Sequence, residues 1–277
     1  MKLLTLRTPN GTTGTQAVRQ DDDTLTEIDG YASVGELLKN PEWKAVAAAA
    51  TGATHAYDGA DLAAVVPAPG KIICVGHNYR NHIKEMGRDV PPYPTLFAKY
   101  AESLIGPNDD LALPPESESV DWEAELAVII GKPGRRIAEA DAKDHIAGYA
   151  VLNDVSMRDY QFRTIQWLQG KTWENSTPFG PALVTTDEFT AGPLMTSAVD
   201  GEIMQSTPTG DVVFTPEFLV HYISTIITLN PGDVIATGTP GGVGHAREPK
   251  RYLAEGQILV TSIEGLGQLS NKVVKEA

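Results

Sequence analysis

A single cysteine, Cys74, stands among the 277 residues, so neither an intrachain disulfide nor a cysteine-built zinc site is available. Set inside the run IICV, it reads as a small core residue. No apolar run approaches the length of a membrane span. The opening MKLLTLRTPNGTTG holds too short an apolar stretch for a signal peptide, and the cytoplasm is the expected location. Basic residues are in deficit: 22 Lys and Arg face 36 Asp and Glu, a formal net charge of −14, and nowhere do they form a run. That excludes nucleic acid and anionic membrane surfaces as partners. No repeat with a period of about 20–50 residues is present. Nor is there an HExxH, a G-x-S-x-G or a Cys–His nucleophile signature.

What is present suits a chain of many turns and short strands. Gly (26) and Pro (19) are plentiful, and the length allows a sizeable core in one large domain, or one large and one small. MKLLTLRT and TQAVRQ predict a hairpin. Val34–Leu38 and Lys44–Ala50 predict helices, the second from its alanine run. VVPAPGK, residues 65–71, then reads as a Pro/Gly joint. We place a small N-terminal α+β unit at residues 1–66 and the main domain at 67–277. Beyond the joint the pattern turns mostly β: KIICVG, ELAVIIG, HIAGYAVLND, GPALVTT, GDVIATG and QILVTSI. Short helices are expected at Asn78–Met86, Val155–Trp167 and Pro216–Ile227. The fold class is α+β, built around a β-sandwich or roll.

The first chemical signal is DWEAELAVII, residues 121–130. On a strand, Asp121, Glu123 and Glu125 share one face, and like charges entering a core need compensation. A third acid, Asp154, ends the apolar run GYAVLND. Carboxylates without Cys or His suit a hard, oxygen-preferring cation such as Mg2+ or Mn2+. Spacing alone leaves a solvent-facing strand and a capping Asp equally open. In DVSMRDYQF, Asp154, Arg158 and Gln161 at i, i+4 and i+7 would share one helix face, as would an ordinary N-cap with an intrahelical ion pair. In VGHNYRNHIKEMG, His82 and Glu85 at i and i+3 match an imidazole oriented by a carboxylate, the arrangement of a general base. Surface pairs of this kind are also common. Lys171, in QGKTWENS, can stabilise developing negative charge near an enolate. His77 reads as structural. TGTPGGVGH, residues 237–245, lacks the GK[ST] of a phosphate loop, but its N–H groups and Thr239 can approach an anion.

Taken together, DWEAEL, GYAVLNDVSMRDYQ, the GK lysine and LNPGDVIATGTPGGVG closely resemble the fumarylacetoacetate hydrolase family, from Lys71 to the C-terminus. The resemblance implies that family's mostly β catalytic fold and a Mg2+ or Mn2+ site made by Glu123, Glu125 and Asp154. It further implies a His82–Glu85 dyad on a lid helix, as in the acylpyruvate hydrolase and oxaloacetate decarboxylase branch. Arg158, Gln161, Lys171 and Thr239 fall on substrate-contacting positions, and Asp121 is left as a rim residue. His77 departs from the family pattern, which leaves open whether it meets substrate or repacks the helix entry. Trp167 and Trp173 flank Lys171 and are expected to shape the pocket. The reaction implied first is hydrolysis of the C–C bond of a 2,4-dioxo acid to pyruvate and a carboxylic acid. The alternative on the same site is oxaloacetate decarboxylation, or isomerisation or tautomerisation of a 2-oxo acid. A homodimer is expected from the same resemblance.

Overall fold

Residues 1–8 and 14–276 are described in the computed structural model. The hairpin forms, with Lys2–Arg7 antiparallel to Thr15–Asp21; its PNGTT tip lies outside the described residues. The main sheet runs, edge to edge, Thr54–Ala56, Thr24–Glu27, Thr15–Asp21, Lys2–Arg7, Thr177–Thr185, Ile146–Asn153, Ala124–Ile130, Val234–Ala236, Ile72–Gly76 and Thr95–Lys99. Short strand Leu104–Ile105 joins it off this path. A second sheet of five strands holds Glu202–Pro208, Leu194–Val199, Ile258–Ile263, Gly267–Lys275 and Leu111–Leu113.

The run AELAVII is buried at every position because both faces of its strand are covered. Leu126, Val128 and Ile130 pack with Met195, Ile263 and Leu269 of the second sheet and with Leu219, Val220 and Ile223 of helix Pro216–Ile226. Ala127 and Ile129 face the other way, onto Leu37, Leu38 and Trp43 of the N-terminal helical region. Each such large side chain contributes roughly 1.5–3 kcal/mol by leaving water. The helix at Pro216 starts as its sequence suggests, with the Thr215 hydroxyl accepting from the Phe218 N–H and Pro at the first turn.

Residues on either side of position 66 share one hydrogen-bonded sheet, since Lys2 and Leu3 pair with Val184 and Leu183. The Pro/Gly joint begins in buried Val65 and Val66, packed on the same core. A compositional change marks this joint without marking a break in the sheet.

Two helix expectations change. The helix predicted from Asn78 runs Arg80–Glu85. Asn78 is not its cap: the buried amide donates to the carbonyls of Phe214 and Thr237 and accepts the Phe214 N–H, joining three segments. The helix predicted over Val155–Trp167 is not continuous. Ser156–Met157 pairs as a strand with Val120–Asp121, followed by the one-turn helices Arg158–Gln161 and Leu168–Lys171. Pairing of Ser156 with Asp121 competes with the helix and wins. Gly170 permits the two turns to touch, because a Cβ there would lie 2.5 Å from the Gln161 backbone.

Candidate active site

Strand register brings the acids together. Ala124 lies opposite Asn153 in the antiparallel pair, so Glu123 and Glu125 at the start of one strand meet Asp154 just past the end of the other. The Asp154 N–H donates to the Glu123 carbonyl at 2.8 Å. One carboxylate oxygen from each of Glu123, Glu125 and Asp154 falls within 4.8 Å of the others, and all three residues are buried.

Cations surround this triad. Lys171 Nζ donates to Glu123 Oε2 at 2.7 Å and Asp154 Oδ2 at 2.8 Å. Lys99 Nζ donates to Asp154 Oδ1 at 2.7 Å from a fully buried position. Arg158 Nη1 sits 2.6 Å from Glu123 Oε1, and its Nε donates to Asp121 Oδ2 at 2.8 Å. Glu125 is the exception: among the described residues its bond is a single N–H from Gly238, at 2.8 Å. Four buried carboxylates, Asp121 included, thus face three permanent cations. Burial opposes ionisation of Glu123, yet Lys171 and Arg158 hold its carboxyl below the ordinary Glu value. Burial, together with the Asp154 and Glu123 charges, pushes Glu125 well above it. The Lys171 ammonium is held above its ordinary value by Asp154 and Glu123 despite burial. An all-oxygen donor set with one under-compensated carboxylate fits a hard divalent cation.

Asp121 is a buried anchor and not the rim residue expected. It is fully inaccessible, pairs with Arg158, and accepts N–H groups from Gly244 and His245. The loop carrying Gly244 closes over it. Arg158 does meet the triad, with Gln161 bonded to it, by a different route from the continuous helix face. Arg158 opens a one-turn helix and donates to Gln161 Oε1 at 2.9 Å.

His82 lies across the pocket, its Nδ1 3.1 Å from Glu85 Oε2. Glu85 also accepts the Gly242 N–H, at 3.0 Å. Burial would raise the Glu85 carboxyl, but His82 and that N–H hold it below the ordinary value. Asn81 fixes the helix further, accepting N–H groups from His82 and Gly241 and donating to Thr207.

Most amides of the Gly-rich loop 237–245 are committed to side chains. Its N–H groups at Gly238, Gly241, Gly242, Gly244 and His245 are taken by Glu125, Asn81, Glu85 and Asp121. Its role is to hold the acids and the dyad helix in place. Thr239 does reach the pocket, and its hydroxyl accepts from Gln205 Nε2 at 2.8 Å.

About 550 Å³ of non-atom space, open solvent at its mouth included, lies within the pocket. His82, Glu123, Glu125, Arg158, Gln161, Lys171 and Thr239 line it; Glu85 and Asp154 stand behind His82 and Lys171. Trp167 forms part of its wall, whereas Trp173 packs against Tyr160. The structure adds His77, Arg88 and His245 to the lining, and Lys99 and Gln205 behind it. Of these, Lys99 had a legible signal: a lysine closing the otherwise apolar segment TLFA.

This β architecture agrees with the comparisons to known proteins. The fumarylacetoacetate hydrolase C-terminal domain matches residues 71–274. Human mitochondrial oxaloacetate tautomerase is 48% identical over 216 residues, 76% of this chain and 68% of that protein. Among solved structures, the fumarylacetoacetate hydrolase of Exiguobacterium antarcticum is 33% identical with TM-score 0.89. The 5-carboxymethyl-2-hydroxymuconate delta-isomerase of Mycobacterium smegmatis is 32% identical with TM-score 0.82; both cover the whole of each chain. The chain belongs to the fumarylacetoacetate hydrolase family. Among its described residues, no helix is long and apolar enough to cross a membrane.

Proposed function

We propose that this protein is a divalent-metal-dependent tautomerase of 2-oxo acids of the oxaloacetate type. The observation that carries the reading is a single oriented imidazole, His82 with Glu85 at its Nδ1, facing buried Lys171 and Arg158 across one pocket. Enolisation needs one base and a place for negative charge on oxygen, and no water nucleophile. The relatives named as a tautomerase and an isomerase support proton transfer over the C–C hydrolysis expected first.

Glu123, Glu125 and Asp154 would hold the metal, Mg2+ or Mn2+ by their oxygen donors. When bound, the ion supplies Lewis acidity for the 2-oxo and 1-carboxylate oxygens. Glu85 occupies Nδ1 of His82, which leaves Nε2 for substrate. Nε2 takes a proton from C3, and the electron pair left behind forms the C2–C3 double bond as charge moves onto the 2-oxo oxygen. Glu85 stabilises the imidazolium so formed. Lys171 and Arg158, lining the same pocket, favour the charge on oxygen. The proton then passes from Nε2 to that oxygen, giving the enol, or returns to C3.

The test is a substrate panel with Mg2+ or Mn2+: enol-oxaloacetate followed by its ultraviolet absorbance, acetylpyruvate, and a hydroxymuconate-type diacid. Interconversion of oxaloacetate tautomers is expected to exceed acetylpyruvate cleavage by about tenfold or more in kcat/KM, roughly 1.4 kcal/mol of transition-state discrimination. A preference for acetylpyruvate would replace this reading with the hydrolase one.

We also propose a homodimer. Phe162, Ile165 and Leu168 are exposed on one segment beside the pocket, and a partner would cover them. Light scattering at micromolar protein is expected to give about twice the chain mass of 29.7 kDa; the single-chain mass would refute it.

A further inference from the structure

We infer that His77, together with Arg88, binds the C4 carboxylate of a four-carbon 2-oxo diacid and so selects diacids over monoacids; the inference rests on the tautomerase reading. His77 has the left-handed backbone conformation, φ 54°, uncommon for a residue other than glycine. It is held there from both sides. Asn78 is locked by its buried hydrogen bonds to Phe214 and Thr237. Gly76 lies so close to Trp167 that a Cβ would come 2.4 Å from the indole. With strand Ile72–Gly76 bare at its end, Trp167 lies over it, and the His77 ring stands edge-on to that indole at 5.4 Å. On its other side His77 stacks with His82 at 6.0 Å.

Packing therefore fixes this imidazole without any hydrogen bond. Both of its ring nitrogens are buried and lack a partner among the described residues, although the residue lines the pocket. A buried polar atom left in this state calls for an explanation, and a ligand supplies one. Burial first, then the nearby Arg88 and His82 charges, lower the His77 pKa to about 4. At neutral pH the ring is thus uncharged and carries one N–H donor. Arg88 lines the same pocket just beyond the dyad helix. A guanidinium beside a neutral N–H donor matches a carboxylate.

Position identifies which carboxylate. The C1 end and the 2-oxo oxygen belong with Glu123, Glu125 and Asp154, and His82 acts at C3. C4 is the next atom along, and the His77 ring stacks with His82 at 6.0 Å in the same pocket. His77 and Arg88 share the pocket lining with apolar Val75, Met86 and Phe97.

The test compares oxaloacetate with 2-oxobutanoate, which has a methyl group in place of the C4 carboxylate. Binding is measured by calorimetry with Mg2+ present, for wild type, His77→Phe, His77→Asn and Arg88→Gln. Wild type is expected to bind oxaloacetate at least tenfold more tightly. His77→Phe keeps the aromatic contact with Trp167 and is expected to reduce that ratio below threefold, with 2-oxobutanoate affinity unchanged. Arg88→Gln is expected to reduce it likewise, and His77→Asn, which tolerates the left-handed backbone and keeps an N–H donor, to restore part of it. If His77→Phe does not unfold cooperatively, Arg88→Gln decides. An unchanged ratio in the folded variants, or no diacid preference in wild type, overturns the inference. Absence of tautomer interconversion with the binding preference intact would instead overturn the tautomerase reading and leave the subsite standing.

Discussion

With His82 replaced by alanine, kcat for tautomer interconversion is expected to fall by roughly 10²–10⁴-fold, the range for loss of a positioned general base. The Mg2+ affinity should stay nearly unchanged, because His82 is not among the three carboxylates that would hold the ion. KM for oxaloacetate should move little, since the base acts on the transition state more than on the bound ground state. Glu85→Gln should cost less: it keeps a hydrogen-bonding group at His82 Nδ1 and removes only the charge that stabilises the imidazolium. The direction of the Glu85 shift makes this a pH statement as well. Its folded pKa is below the ordinary value of 4.5. Its contribution to stability is therefore full above 4.5 and is lost as pH falls through the lowered value. The dyad remains oriented across the neutral range. An unaltered kcat in His82→Ala would move the base to another pocket imidazole, His77 or His245.

Much of this site was legible because local periodicity carries it. The i, i+3 spacing of His82 and Glu85 predicted a contact that a single helical turn delivers. The two-residue strand period likewise predicted that Glu123 and Glu125 converge. Contacts set by long-range pairing were harder to read. Asp121 looked like an entrance residue because nothing in its own segment shows that Gly244, 123 positions away, closes over it. Residues 155–167 carried a helical pattern, but pairing of Ser156 with Asp121 overrode it, as tertiary context commonly does with weak propensity. Arg158 still reached Glu123 because the strand pairing, and not a helix face, aims it. Lys99 escaped notice because its partner Asp154 lies on another segment, and a lone lysine is normally read as solvated. The loop 237–245 was read as a possible anion cradle from composition. Its glycine amides at 238, 241, 242 and 244 are committed to side chains more than 100 residues away, which composition cannot reveal. The pairing of Leu3 with Leu183, which ties the N-terminal unit to the main sheet, likewise leaves no local trace.

Removing divalent metal with EDTA is expected to make the stability of the protein fall as pH rises above the ordinary Glu value of 4.5. The cause is Glu125. Asp121, Glu123 and Asp154 all pair with Lys99, Lys171 or Arg158, whereas Glu125 has one backbone N–H among the described residues. Its folded pKa therefore lies well above the ordinary 4.5. For a group shifted upward, the folded state holds the extra proton. The associated stability is present below 4.5 and is lost as pH rises toward and through the folded value. A divalent ion needs the deprotonated carboxylate, so its binding displaces that proton and tightens as pH rises. At a free ion concentration of about 100 Kd it would restore about 2.7 kcal/mol. Thermal unfolding of EDTA-treated and Mg2+-loaded protein should thus diverge with pH, the loaded protein being the less sensitive. Glu125→Gln provides the control. The uncharged amide keeps the shape and removes the titration, so the metal-free variant should unfold at a temperature that changes less with pH than wild type. Mg2+ should shift its unfolding far less, and its activity should be lost. A Glu125→Gln protein that still gained the full Mg2+ shift would place the ion elsewhere. A metal-free wild type as insensitive to pH as the variant would mean that Glu125 is compensated by a contact other than the Gly238 N–H.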